Sequence, residues 1–138
     1  MLAHLIRLNN KTFILQYNKG NLDLINKIIS RLPLTLPPNK FNNVNFLYDA
    51  SGGAGKTIEY IHSVIDNHLT GYAGGLNPTN LEEAIEKIIN ANHPDAEIWI
   101  DTESGVRSPA CNSSVANADV LDLDKVVQFL RIVEPYTK

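Results

Sequence analysis

Residues 46–57 read Phe-Leu-Tyr-Asp-Ala-Ser-Gly-Gly-Ala-Gly-Lys-Thr, and their reading decides the fold. An apolar run closes on Asp49, a glycine-rich turn follows, and Ile58, Ile61, Val64 and Ile65 then recur at helical spacing. A strand that passes through a glycine turn into a helix is a βα unit. Such a unit presents a carboxylate and backbone N–H groups to an anionic ligand.

The same alternation runs outward in both directions. Upstream, Leu5 to Leu8 and Phe13 to Tyr17 read as strands. Asn21 then reads as a helix N-cap before Leu22, Ile25, Ile28, Ile29 and Leu32, which share one helical face. Residues 33–43 hold three prolines and three asparagines and read as a loop before the strand Val44 to Tyr48. Downstream, Leu69 to Ala73 is a strand ending at Gly74-Gly75. Thr79 and Glu82 have capping-box spacing, and Leu81, Ala84, Ile85, Ile88 and Ile89 supply a core-facing stripe. Glu97 to Ile100 is a strand ending at Asp101. A looser segment over 104–120 precedes a last helix, in which Leu123, Val126, Val127 and Leu130 line up.

Strands alternating with helices imply parallel pairing with right-handed crossovers. In such sheets ligands sit at the carboxyl ends of the strands. Here those ends carry Asp49, Gly52, Gly53, Gly74, Gly75, Asp101, Glu103, Ser104 and Gly105. The expected fold is α/β, with the 138 residues forming one domain.

Composition narrows the classes. Hydrophobic residues make up 43% and charged residues 20%, as in a folded globular chain rather than a disordered one. The net charge is −3 and no lysine or arginine cluster forms a basic stripe, which argues against a nucleic-acid partner. The apolar runs are too short to span a membrane, and the N-terminus lacks signal-peptide architecture, so the expected compartment is cytoplasmic. The single cysteine, Cys111, cannot build a disulfide framework or a zinc site alone.

Residues 50–57, Ala-Ser-Gly-Gly-Ala-Gly-Lys-Thr, also satisfy a relaxed Walker A pattern, with Ala50 where the strict form has glycine. On that reading Lys56 reaches the β/γ-phosphates, Thr57 holds Mg²⁺ and Asp101 ends a Walker B strand. Against a P-loop NTPase stand Asp49, whose charge would sit beside the phosphates, the two strands upstream, and the short remaining chain.

Three consecutive strand ends resemble the phosphoribosylanthranilate isomerase family, (β/α)₈-barrel enzymes of tryptophan biosynthesis. Residues 47–57 are similar to the family's strand-six segment, an apolar strand ending in Asp before G-G-x-G-K. Tyr72 to Leu81 is similar to its A-G-G-L-x-P-x-N-V after strand seven, and Ile100 to Arg107 to its D-x-x-S-G-V-E after strand eight, with Arg107 in place of the usual Glu. The closing helix, from Leu121 to Val126, also looks like the family's last. The likeness covers residues 44–132 and is thin before them.

The resemblance implies parallel (β/α) units of TIM-barrel type, a partial barrel of about strands four to eight that lacks the N-terminal half. It implies binding of a phosphorylated sugar-like small molecule, and an Amadori-type aldose–ketose isomerisation without a cofactor. Asp49 takes the position of the general acid, and Gly74, Gly75, Ser104 and Gly105 that of the phosphate site, with Gly52 and Gly53 as further substrate contacts. The family's general base, a cysteine on strand one in a K-x-C-G context, has no counterpart here, and Cys111 lies near the other end. A non-catalytic phosphometabolite-binding or assembly subunit is therefore the alternative to an active isomerase. A half-barrel leaves one sheet face and both edges uncovered. It could be a fragment of a longer gene, self-associate or pair with a complementing half-barrel, or rearrange into an open sandwich.

Plainer roles compete for several residues. Asp49 can be a simple cap, and Gly52, Gly53 and Gly55 can serve only the turn. Asp101 and Glu103 can cap the next element or act as paired carboxylates. His4, His62, His68 and His93 show no metal-ligand spacing and read as exposed histidines. Trp99 reads as packing.

Overall fold

In the computed structural model, residues 11–30, 44–50, 61–65, 68–110 and 119–137 are described. Four strands form one sheet: β1 (Phe13–Tyr17), β2 (Val44–Asp49), β3 (Thr70–Ala73) and β4 (Ile98–Ile100). All neighbours pair in parallel, in the order β1-β2-β3-β4. Helices α1 (Leu22–Ile29) and α2 (Leu81–Ala91) lie in the connections, and α3 (Leu123–Val133) follows the sheet. A short 3₁₀ turn (Ser104–Val106) leads into an antiparallel hairpin of β5 (Arg107–Pro109) and β6 (Asp119–Leu121). The chain is thus an α/β fold with a four-stranded parallel sheet and a small antiparallel hairpin.

The strand order has a consequence for the layers. Each strand lies next to its predecessor, so every crossover steps the same way across the sheet. Right-handed crossovers then place their connecting segments on one face. The core bears this out. Tyr17, Val44, Phe46, Tyr48 and Tyr72 are buried on that face together with Ile25 of α1 and Ile88 of α2. A second group, Leu76, Leu81, Ile85, Val106 and Phe129, fixes α2 and α3 against the 3₁₀ turn. Ala50, Ile61 and Ile100 touch both groups and make the core continuous. On the opposite face Gly71 lacks a side chain where the Trp99 indole lies, and a Cβ there would enter the ring. Trp99 is packing, as its place in a strand suggests.

Several local expectations are corrected. Residues 61–65 are not helical. Their backbone groups are taken by side chains instead: Val64 N donates to Asn92 Oδ1 (2.6 Å), Ile65 N to Thr70 Oγ1 (3.3 Å), and His62 O accepts from the Tyr72 hydroxyl (2.8 Å). These bonds replace an i→i−4 ladder while Ile61 and Ile65 still pack on the core. The capping box does not form. Asn80 is the N-cap residue of α2, and Thr79 is drawn away because its N–H and hydroxyl both donate to Asn77 Oδ1 (2.9 and 2.6 Å). Asn21 does occupy the N-cap of α1, but its side chain accepts from Asn18 N rather than capping.

His62 and His68 are half-buried rather than exposed. The His62 ring stands edge-on to Tyr48 at 5.0 Å, and burial lowers its pKa. His68 Nδ1 lies 2.8 Å from the Val44 carbonyl oxygen. The stretch 104–120 is not simply loose, since it contains β5 and the start of β6. Arg107 holds it through an ion pair to Asp119 (3.1 Å) and a bond to the Asp119 carbonyl (3.0 Å). The expected strand over Leu5–Leu8 and the loop over 33–43 lie outside the described residues.

One core group invites a direct test. Tyr17 is 1% exposed, and among the described residues its hydroxyl finds no hydrogen-bond partner. Burial pushes its pKa far up. An unsatisfied buried hydroxyl costs about 1–3 kcal/mol, and Tyr17→Phe keeps the ring contacts to Phe46 and Tyr48. The variant should therefore be more stable than the parent by about 1 kcal/mol in urea denaturation. A loss of stability would show that the hydroxyl is satisfied in solution.

Candidate functional site

A cleft of about 100 Å³ opens at the carboxyl ends of β2, β3 and β4. Five residues singled out in the sequence line it together: Asp49, Gly74, Gly75, Ser104 and Gly105. The others, Gly52 and Gly53, lie outside the described residues, as do Lys56, Thr57 and Cys111. Asp101 and Glu103 also line the cleft.

Each wall has a local cause. β2 ends at Asp49, which is only 6% exposed. Gln16, on the neighbouring strand, donates to Asp49 Oδ2 at 2.7 Å and is one of the partners that fix the carboxylate. Gln16 lies on β1, next to its last residue, and was not legible as a site residue. The only signal was a single amide side chain in an otherwise apolar-rich strand, Phe-Ile-Leu-Gln-Tyr, which a strand with one partly exposed face commonly carries.

The second wall follows β3. Gly74 and Gly75 have φ of 119° and 60°, conformations that L side chains rarely adopt. Asn77 and Asn80 both donate to the Gly75 carbonyl oxygen (3.2 and 2.9 Å). A trans peptide points its N–H opposite its C=O, so this pinned carbonyl directs the Leu76 N–H away from the two amides. Among the described residues, the turn and cap hydrogen bonds use none of the Gly74, Gly75 and Leu76 N–H groups.

The third wall is the 3₁₀ turn after β4. Thr102 Oγ1 donates to the Leu76 carbonyl oxygen (2.6 Å) and ties it to the second wall. Gly105 lies against the same carbonyl, and a Cβ there would collide with it. Gly105→Ala must therefore separate the two loops. We expect it to lower stability by about 1–3 kcal/mol, as overpacking does, measurable as an earlier urea midpoint. Unchanged stability would show that the loops are not held this closely.

The cleft is lined by the Gly74–Leu76 segment, whose N–H groups take no turn or cap bond among the described residues, and by three carboxylates, Asp49, Asp101 and Glu103. Its volume is below that of sites enclosing a whole drug-sized ligand, and equals a few water molecules. That is room for one functional group, the size of a tetrahedral anion, with the rest of any larger ligand outside. Among the described residues no group of three or more His, Cys, Asp or Glu side chains is arranged to hold a metal ion. Nor is any helix among them long and apolar enough to cross a membrane. Comparison with protein-family models, with curated proteins and with solved structures finds no match.

Proposed function

We propose that the cleft binds the phosphate-bearing end of a sugar phosphate, and that Asp49 is the general acid of an aldose–ketose isomerisation of Amadori type. The observation that carries this is convergence. Asp49, Gly74, Gly75, Ser104 and Gly105, read from three separate strand ends, line one cleft. The unbroken strand order supports the finer fold reading, a segment of a (β/α) barrel. A doubly wound sheet reverses direction at a switch point, whereas these four strands do not.

On this reading the Gly74–Leu76 amides receive the phosphate, since donors directed at an anion serve a phosphate well. Asp49 passes its proton to the ring oxygen, and the C1–O bond opens to a Schiff base. A base then takes the C2 proton, and the resulting enamine tautomerises to the ketose. In place of the cysteine the family uses, Asp101 and Glu103 are the carboxylates lining the cleft that can accept that proton.

A second reading is a phosphometabolite-binding subunit without turnover, since backbone donors along Gly74–Leu76, which no turn or cap bond uses among the described residues, suit an anion without any proton transfer. The P-loop reading rests on residues 50–57, of which 51–57 lie outside the described residues. Thermal-shift titration of the full chain with ribulose-type phosphosugars, inorganic phosphate and Mg²⁺–nucleotides separates the three. Stabilisation by phosphosugar with turnover supports the isomerase, and stabilisation without turnover supports the binding subunit. A response to Mg²⁺–nucleotide alone removes both.

A further inference from the structure

Helix α3 carries two apolar faces. Phe129 is buried in the core, with Val126, Ile132 and Val133 packed beside it. Leu123, Val127 and Leu130 lie instead on the solvent side, 68%, 45% and 57% exposed. Their i, i+4, i+7 spacing makes a continuous stripe along the helix. Val120 and Leu121 of β6, also exposed, extend the apolar surface at its N-terminal end.

Charges mark what fits this stripe. Asp124 and Arg131 are both exposed and lie on the same flank of it, near opposite ends of the helix. Among the described residues neither forms an ion pair. A twofold axis between antiparallel helices keeps a flank on its own side and reverses its direction. An axis passing between Val127 and Gln128 therefore brings Asp124 level with the partner's Arg131, and Arg131 level with the partner's Asp124. The same axis interleaves Leu123, Val127 and Leu130 with their copies. An isologous contact needs such self-complementarity.

We propose that a second copy of this chain packs on α3, the two helices running antiparallel about a twofold axis near Val127. This contact is independent of the ligand that fills the cleft. One helix stripe makes a contact at the low end of interface sizes, so the dimer is weak and concentration-dependent.

The test is sedimentation equilibrium of the full chain, up to about 0.5 mM, where a contact of low-end size still populates a dimer. Far-UV circular dichroism accompanies each variant to confirm folding. The parent should dimerise, and Val127→Glu should be monomeric. Asp124→Arg and Arg131→Asp each place like charges opposite one another twice, and each alone should weaken the dimer about 10-fold. An equimolar mixture of these two variants restores both opposite-charge pairs. It should form a heterodimer within about threefold of the parent's affinity. A monomeric parent, a Val127→Glu variant as dimeric as the parent, or a mixture no tighter than the separate variants would each overturn the proposal.

Discussion

On the proposed isomerase reading, Asp49→Asn should lower kcat about 10²–10⁴-fold for conversion of a phosphoribosylamine to its 1-deoxyribulose phosphate isomer, the loss expected for a removed general acid. KM should change by less than about threefold, because the amide keeps an oxygen that Gln16 can still bond and the backbone donors of Gly74 to Leu76 are untouched. Asparagine is close in size to aspartate, so the cleft should retain its shape. The split between kcat and KM distinguishes proton transfer from binding. A variant with unchanged kcat removes Asp49 from the chemistry. One with unchanged kcat but much weaker binding makes it a ligand contact instead.

Phe46→Ala is the second large effect, and it concerns the fold. Phe46 lies on the central strand β2, is fully buried, and stands edge-on to Tyr17 and His68 with ring centroids 6.3 and 5.1 Å away. Removing a buried phenyl ring leaves a cavity and costs about 3–5 kcal/mol. Whole-domain stabilities are about 5–15 kcal/mol, so this one change should remove a large share. Urea denaturation followed by circular dichroism should show a much earlier midpoint at an unchanged slope. A loss below about 1 kcal/mol would show that the β2 face is not packed as described.

Much of the fold was legible because its signals are local. β1 and α1 fall where alternation and the i, i+3, i+4 pattern of Leu22 to Ile29 place them. β2 ends at Asp49, and β3 ends just before the two glycines whose positive φ shapes the rim. The convergence of Asp49, Gly74, Gly75, Ser104 and Gly105 was also legible. Parallel strands carry their carboxyl ends to one rim, so residues at successive strand ends become neighbours.

The rest depended on competition between distant partners. The apolar pattern of α3 reads as one face, Leu123, Val126, Val127 and Leu130. Tertiary packing divides it, taking Phe129 and Val126 inward and leaving Leu123, Val127 and Leu130 outside. Helical periodicity gives the width of an apolar arc, and only the neighbouring elements decide which part of it is covered. The β5–β6 hairpin joins three-residue strands, too short for an alternation signal. It is fixed by Arg107 with Asp119 and by Ser108 Oγ donating to Asp122 Oδ2 at 2.5 Å, both across the hairpin. The helix expected through 61–65 gave way to bonds from Asn92, Thr70 and Tyr72, and Gln16 reached Asp49 from another strand. Sequence by itself determined the four strands of the parallel sheet, the three helices α1, α2 and α3, and the polar rim, because backbone periodicity and turn chemistry act within a few residues. Tertiary structure alone decided which apolar face is buried, which carboxylate is held and by what, and which backbone groups leave a helix, because each is set by partners distant in the chain.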